Sequence, residues 1–279
     1  MPQGLHESLL KSFGLYVLIG GMPAAVDAYT SGTTAMEAVK RVQRSLLQAY
    51  YDDVSKYESD FYRQEAVRHV IRNAPNYSGR VYKYENFAGS GYNSKDMKRA
   101  FSLVENAGLI KQIPQTTSLG LPLEPQLTRS KKLAFLDVGL VNANVSNYQR
   151  LYDQVLVNSD FTGAIVEQAV IQQLVFSSPI EVKSIFRWER DTNKSAAEVD
   201  LTMQLAEKLV AVEIKSESSG RLVSLFSYAD YTGNEAKLVR IYGGPPREEV
   251  VTYSGKSYKL NSIPVYLTPL LESLISREM

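Results

Sequence analysis

The sequence predicts a mixed fold, α+β passing into α/β. A helical segment leads into a helix–strand–loop–strand unit, and an α-β-β-β-α-β layer follows. Three observations point there. Apolar residues recur at spacings of three and four between Thr34 and Tyr57, the mark of one buried helix face. From about residue 80 the pattern shortens into strand-like runs broken by glycine and proline. From Phe161 a helix is followed by three strand-like runs.

In order, residues 1–33 read as a helix with a break at Gly20-Gly21-Met22-Pro23, Pro23 suiting the first turn of a new helix. The helix from Thr34 to Tyr57 carries Met36, Val39, Val42, Leu46, Leu47, Tyr50 and Val54 on its stripe. Ser59 or Asp60 caps another helix running to about Arg72, and Asn73–Gly79 is a loop. Val81–Phe87 is short. Asn93 or Ser94 caps a helix that ends at Gly108, as a C-terminal glycine should. Leu109–Ile113 reads as a strand, a polar loop with Pro114, Gly120, Pro122 and Pro125 follows, and Lys132–Val138 reads as a second strand. Helix, strand, loop, strand is the back half of a winged helix.

The second half opens with a helix through Glu167, Val170 and Leu174. Strands are expected at Val182–Arg187, Glu198–Met203 and Leu209–Ile214, a helix at Leu222–Tyr231, and a strand at Lys237–Tyr242. Val250–Tyr253 and Ser257–Leu260 pair across Ser254-Gly255-Lys256, and Pro264–Leu267 reads as a last strand before a terminal helix.

Composition narrows the chemistry. The 279 residues are 44% apolar and 22% charged, ordinary for a water-soluble protein. No apolar run reaches the ~20 residues of a membrane span, and the N-terminus lacks the pattern of a signal peptide. A cytoplasmic protein without membrane association is expected. With no cysteine, disulfides and thiolate metal sites are excluded, and with only His6 and His69 an HExxH zinc site is impossible. The metal ligands expected are then oxygens, which favours magnesium, manganese or calcium over zinc. Residues 1–150 hold 18 Lys and Arg against 13 Asp and Glu, whereas residues 151–279 hold 13 against 17. A basic half joined to an acidic half suggests two jobs.

The acidic half holds one pattern with clear chemistry. Asp200 lies in Ala196-Ala-Glu-Val-Asp-Leu, and Glu213 and Lys215 lie in Val212-Glu-Ile-Lys. Residues two apart on a strand share a face, so Glu213 and Lys215 project together, while Ile214 points away and offers its carbonyl to the site. If the two strands form a hairpin, Asp200 comes beside Glu213. Two carboxylates and a carbonyl suit a hard divalent cation, and the ammonium suits an attacking water or a developing negative charge. Glu167, on the preceding helix, is placed to add a ligand or a base. The ordinary alternative is an exposed cross-strand ion pair. Against it stands the flanking of these charges by Val199, Leu201, Val212 and Ile214, since charges at a core edge are costly to keep.

The segments GGMPAAV (20–26), VQRSLLQAYYDDVSKY, AFSLVENAGLI, KLAFLDVGLV, GAIVEQAV, AEVDLTM, AVEIKS and IPVYLTP occur in this order. Together they resemble the uncharacterised C-terminal region of many prokaryotic AAA-type ATPases. The resemblance implies a helical segment (1–72), a winged helix (73–150) and a PD-(D/E)xK, restriction-endonuclease-like α/β domain (151–279). It also implies site positions Glu167, Asp200, Glu213 and Lys215, with Mg2+ or Mn2+ held at Asp200, Glu213 and the Ile214 carbonyl. A P-loop ATPase core usually precedes this region. Here the sole GK[ST], Gly255-Lys256-Ser257, lacks the glycine the motif needs at position 250, where Val stands, and reads as a hairpin turn. ATP is therefore expected only with a full-length ATPase core, in cis or in trans, and residues 1–20 read as the tail of its lid. Lys95, Lys98 and Arg99 on the recognition helix, with Lys131 and Lys132 beside the wing, are the candidate phosphate contacts to DNA or another nucleic acid. The expected function is a DNA-associated, magnesium-dependent nuclease-like module. The alternative is a non-catalytic module that binds nucleic acid or protein and partners an ATPase. Homo-oligomerisation is compatible with either.

Overall fold

Glycine and proline punctuate the first helices as their backbone chemistry requires. In a computed structural model of the protein, all residues are described except 32–34, 144–162, 177–183, 191–196, 206, 216–221 and 277–279. Helix α1 (Gln3–Ile19) ends where Gly20 turns at φ +79°, and Pro23 stands at the start of α2 (Pro23–Thr30). The long stripe helix is α3 (Ala35–Asp52), which tightens into a 3-10 turn at Asp53–Lys56. Of the two candidate caps for α4 (Phe61–Asn73), Asp60 serves: its carboxylate accepts the Arg63 N–H at 2.9 Å. Asn93 does the same for α5 (Ser94–Asn106), accepting the Asp96 N–H at 2.9 Å, and Gly108 follows with φ +75°.

Contacts divide the chain into two compact units. One comprises Gly14–Gln112 and Lys132–Ser159; the other comprises Met1–Phe13, Ile113–Lys131 and Asp160–Met279. The first unit is mainly helical. Its sheet joins β1 (Val81–Tyr82), β2 (Ile110–Ile113) and β4 (Lys131–Phe135) in the order β1–β4–β2. Phe101 of α5 anchors its core: Tyr82 stacks on it at 4.5 Å between ring centroids, and Phe87 meets its edge at 4.9 Å. A truncation such as Phe101→Ala would cost about 3–5 kcal/mol.

The strand expected over 132–138 stops at Phe135. Asp137 turns the chain into α6 (Val138–Ala143), its Oδ1 accepting the Leu140 N–H at 3.1 Å. Its Oδ2 accepts the Gly21 N–H at 2.7 Å. A Cβ on Gly20 would stand 2.0 Å from Asp137 Oδ1, so only glycine fits there. Around this point the carbonyls ending α1 meet buried amides. Asn142 Nδ2 donates to Val17 O at 2.7 Å, and Gln43 Nε2 donates to Leu18 O and Ile19 O, each at 3.0 Å.

The second unit is built on a seven-stranded mixed sheet. Its strands are β3 (Gln115–Thr116), β5 (Ile185–Glu189), β6 (Glu198–Leu205), β7 (Lys208–Ile214), β8 (Lys237–Tyr242), β9 (Arg247–Tyr253) and β10 (Lys256–Pro264). Their order is β3–β5–β6–β7–β8–β10–β9. β5, β6 and β7 run antiparallel in succession, whereas β7–β8 and β8–β10 are parallel. Helix α7 (Gly163–Val175) packs on β7 and on the 3-10 turn Val265–Leu270. Helix α8 (Val223–Tyr231) covers Leu209, Ala211, Leu238 and Leu260 with Leu225, Phe226 and Ala229, and α9 (Leu271–Ser276) follows the 3-10 turn.

Three further details differ from the sequence reading. The loop expected between β2 and β4 contains β3, which pairs in parallel with β5. The first strand of the layer is β5, Ile185–Glu189; the expected residues 182 and 183 lie outside the described ones. Of the strand expected at Pro264–Leu267 only Pro264 is in a strand, as the last residue of β10, and Val265–Leu270 wind into a 3-10 turn. Gly255-Lys256-Ser257 belongs to the β9–β10 hairpin, where Lys256 pairs with Tyr253 and the two-residue turn Ser254-Gly255 has φ of 49° and 77°. Among the described residues no single helix is long and apolar enough to cross a membrane.

Candidate functional site

Register brings the acidic residues together. In the β6–β7 hairpin Leu201 faces Val212, so one step on Asp200 comes level with Glu213. The regular ladder ends there. Between the pairs Phe186–Thr202 and Trp188–Val199, β5 advances two residues and β6 three, so β6 carries one extra residue, a bulge at Asp200-Leu201. A bulge re-aims its side chains. Asp200 Oδ2 accepts the Ile214 N–H at 2.8 Å. The end of β7 stays tied to β8, with Glu213 level with Arg240 and the Lys215 N–H donating to Ile241 O at 2.9 Å.

The side chains at 213 and 215 meet as period-two spacing requires. Lys215 Nζ lies 2.6 Å from Glu213 Oε1. The Glu213 side chain is 9% exposed and that of Lys215 28%, so the pair sits at the edge of the buried sheet. A half-desolvated charge pair is held more strongly than an exposed one, because water screens it less. Asp200 is half-buried. The structure therefore brings Asp200, Glu213, Ile214 and Lys215 to one strand end. At Ile214 the contact it shows is made by the amide, to Asp200.

Glu167 lies half-buried on α7, the helix that packs on β7. Among the described residues no three acidic or histidine side chains converge as a ligand set, so Glu167 is not gathered with both carboxylates. A cation at this strand end would rest on Asp200, Glu213 and the Ile214 carbonyl. That set fits magnesium, which commonly takes one or two carboxylates and fills its remaining positions with water and substrate phosphate.

The sequence reading passed over the basic residues beside this site. Arg240, level with Glu213, donates from Nε to Ser262 Oγ and from Nη2 to Glu249 Oε1, both at 3.0 Å. Arg187, on β5 across from the bulge, is only 1% exposed. Its Nη2 donates to Gln115 at 2.8 Å, Ser130 at 3.0 Å and Glu189 at 2.7 Å, and its Nη1 reaches Glu198 at 3.3 Å. The signal was present in Ile185-Phe-Arg-Trp-Glu, where Arg187 and Glu189 share a face of an apolar strand. Trp188 lies in the core, edge-on to Tyr228 at 4.8 Å.

The candidate phosphate contacts fare differently from one another. Lys95 and Lys98 are exposed on α5. Arg99 is bound to the buried Glu58, Nη2 to Oε2 at 2.8 Å. The Asp60 N–H and this guanidinium hold the Glu58 carboxyl below its usual pKa. Lys131 is half-buried, and Lys132, 3% exposed, is not a surface cation. The two histidines serve packing: His6 Nδ1 is 2.7 Å from Tyr266 OH, and His69 Nε2 is 3.0 Å from Phe87 O.

A mixed α+β chain with two sheets and a carboxylate-lysine cluster at one strand end is the class defined so far. Residues 10–150, half of the chain, match the family model described as "Domain of unknown function (DUF8612)", and the chain belongs to that family. Residues 162–267 match a second model, "Domain of unknown function (DUF4143)", a domain found at the C-termini of AAA-ATPase-like proteins. No curated protein matches the chain. Among solved structures, protein VC1899 from Vibrio cholerae is 11% identical, with a TM-score of 0.26 over 86% of this chain and 56% of that one. Can2 from Sulfobacillus thermosulfidooxidans, solved in complex with cyclic tetra-adenylate, is 12% identical, with a TM-score of 0.28 over 86% of this chain and 58% of that one. This chain thus spans under two thirds of the length of either structure. At these TM-scores neither likeness assigns a fold or a function to this chain.

Proposed function

We propose that this chain is an ATPase-associated, nucleic-acid-binding module whose sheet carries a magnesium-dependent phosphodiesterase site of the PD-(D/E)xK, restriction-endonuclease-like kind. The carrying observation is the β6–β7 register, which runs to Leu201–Val212 and brings Asp200, on the β6 bulge, to the Ile214 N–H between Glu213 and Lys215. Supporting it are the element order from α7 to β8 and the match to a domain found behind AAA-type ATPase cores. The functional division follows the sequence: a helical segment (1–72), a winged helix presenting α5 (73–150) and the nuclease-like part (151–279). An ATPase core, in cis or in trans, is the proposed partner and the seat of any ATP binding.

Each residue then has one task. Asp200 and Glu213, with the Ile214 carbonyl, would hold Mg2+ or Mn2+. The cation, when bound, neutralises the scissile phosphate and lowers the pKa of a water. Lys215, whose Nζ lies 2.6 Å from Glu213 Oε1, would donate to that water or to the negative charge that develops on the phosphate. Bound to Ile214 N–H, Asp200 Oδ2 holds the carboxylate still at the strand end. Glu167, on the helix that packs on β7, is not a ligand in this arrangement.

One observation favours a second reading, a non-catalytic binding module. Lys215 already neutralises Glu213, and Asp200 already bonds the backbone, so the cluster is self-sufficient as a structural tie. Calorimetric titration of magnesium and manganese into wild type and Asp200→Ala separates the two. Binding heat that the substitution removes supports the metal site. Its absence, also with nucleic acid present, leaves the binding module.

A further inference from the structure

A groove on the helical unit has the chemistry of an anion site, away from the recognition helix of the sequence reading. One wall is a stripe of α3, Arg44, Leu47, Gln48 and Tyr51, whose spacing of three and four puts them on one helix face. Ile71 and Arg72 of α4 form the other, and the open groove encloses about 430 Å3. Its floor is apolar and its rim is basic. Arg72 Nη2 donates to Tyr51 OH at 2.6 Å, and its guanidinium lies 5.3 Å from the centre of that ring. Arg68 approaches the same ring at 5.5 Å, and its Nε is buried with no hydrogen-bond partner among the described residues.

The charges here do not balance. Arg68 has Glu65 at 2.8 Å, but neither Arg44 nor Arg72 has a carboxylate partner among the described residues. Asp52, the carboxylate that follows on the α3 stripe, is taken by Gln48 Nε2 at 2.7 Å. Two unneutralised guanidiniums facing one groove repel each other unless an anion lies between them, and guanidinium is the side chain best shaped for a phosphate. An apolar floor beside an aromatic ring suits a nucleobase or sugar edge, and an open trough admits a chain.

We propose that the groove between α3 and α4 binds the phosphodiester backbone of a single-stranded nucleic acid, with Arg44 and Arg72 as its phosphate contacts. This rests on the nucleic-acid side of the proposed function and is independent of the Asp200–Glu213 site. Fluorescence anisotropy with labelled single-stranded DNA and RNA oligonucleotides tests it on the full chain without added metal. Arg44→Gln, which removes no contact seen within the protein, should weaken binding about tenfold, and Arg44→Gln with Arg72→Gln should weaken it further. The double variant should flatten the slope of log K against log salt by about 1.4, or about 0.7 per lost contact. The DNA and RNA arms report which strand the groove prefers. The proposal fails if wild type binds neither oligonucleotide, or if Arg44→Gln, folded by circular dichroism, binds as wild type does. It also fails if polyglutamate competes as well as the oligonucleotide, since the groove would then be an acidic-peptide site. None of these outcomes bears on metal binding at Asp200, which is measured separately.

Discussion

The end of α1 and the end of β7 are both polar clusters built from motif-rich sequence, and they use their polar atoms oppositely. Around α1, Gln43, Asn142 and Asp137 are all but fully buried; Gln43 and Asn142 spend their amide donors, and Asp137 its carboxylate oxygens, on backbone groups. Helix ends leave carbonyls and N–H groups unpaired, and this node pairs them. At β7, Asp200 and Lys215 stay partly exposed, and the ladder gives way to a bulge where they stand. Buried polar groups aimed at backbone hold the fold, whereas the half-exposed charges at the interrupted ladder are what the proposed site rests on. Conspicuous motifs alone, GGMPAAV and LDVGLV against EVD and VEIK, do not tell the two apart.

The sharpest way to break this contrast is to remove one acid from each cluster. Asp200→Ala should abolish metal-binding heat and reduce any metal-dependent cleavage at least about 100-fold, while costing only about 1 kcal/mol of stability. An equal loss of both would make Asp200 a structural residue. Asp137→Ala should do the reverse. Losing the α6 cap and the bond to Gly21 N–H should cost roughly 2–4 kcal/mol in urea denaturation and leave metal binding unchanged.

Gly139→Ala sharpens the same point through packing. Its Cβ would stand 2.3 Å from Ile19 O and 2.8 Å from Gln43 Nε2, so α6 must withdraw from α1. A loss of about 1–3 kcal/mol is expected in the same denaturation, and an unchanged midpoint would show that the contact is soft. The smallest effect concerns Glu58. Its carboxyl is held below the usual range, first by the Asp60 N–H and then by Arg99. A depressed carboxylate stabilises the fold above its unfolded pKa of about 4.3 and loses that contribution as pH falls through the folded value. Glu58→Gln should therefore lower the melting temperature slightly at pH 7, and the gap to wild type should close below about pH 4. A gap constant across that range would remove Glu58 from the acid response.

Much of the element order was legible because local chemistry sets it. Gly20 and Pro23, the caps Asp60 and Asn93, Gly108, and the Ser254-Gly255 turn all act within a few residues of themselves. The pairing of Glu213 with Lys215 was legible for the same reason, since a period of two is local. Only tertiary structure decided the rest. The strand at Lys131–Phe135 stops early because Asp137 finds Gly21, 116 residues away in sequence. Residues 115 and 116 become a strand because β5 offers its edge. Lys132 is drawn out of the solvent, and Arg99 is drawn to Glu58, 41 residues back. Asp200 reaches Ile214 through an extra residue in β6 that no periodicity announces, because a bulge is defined by the strand it faces and not by the strand that carries it.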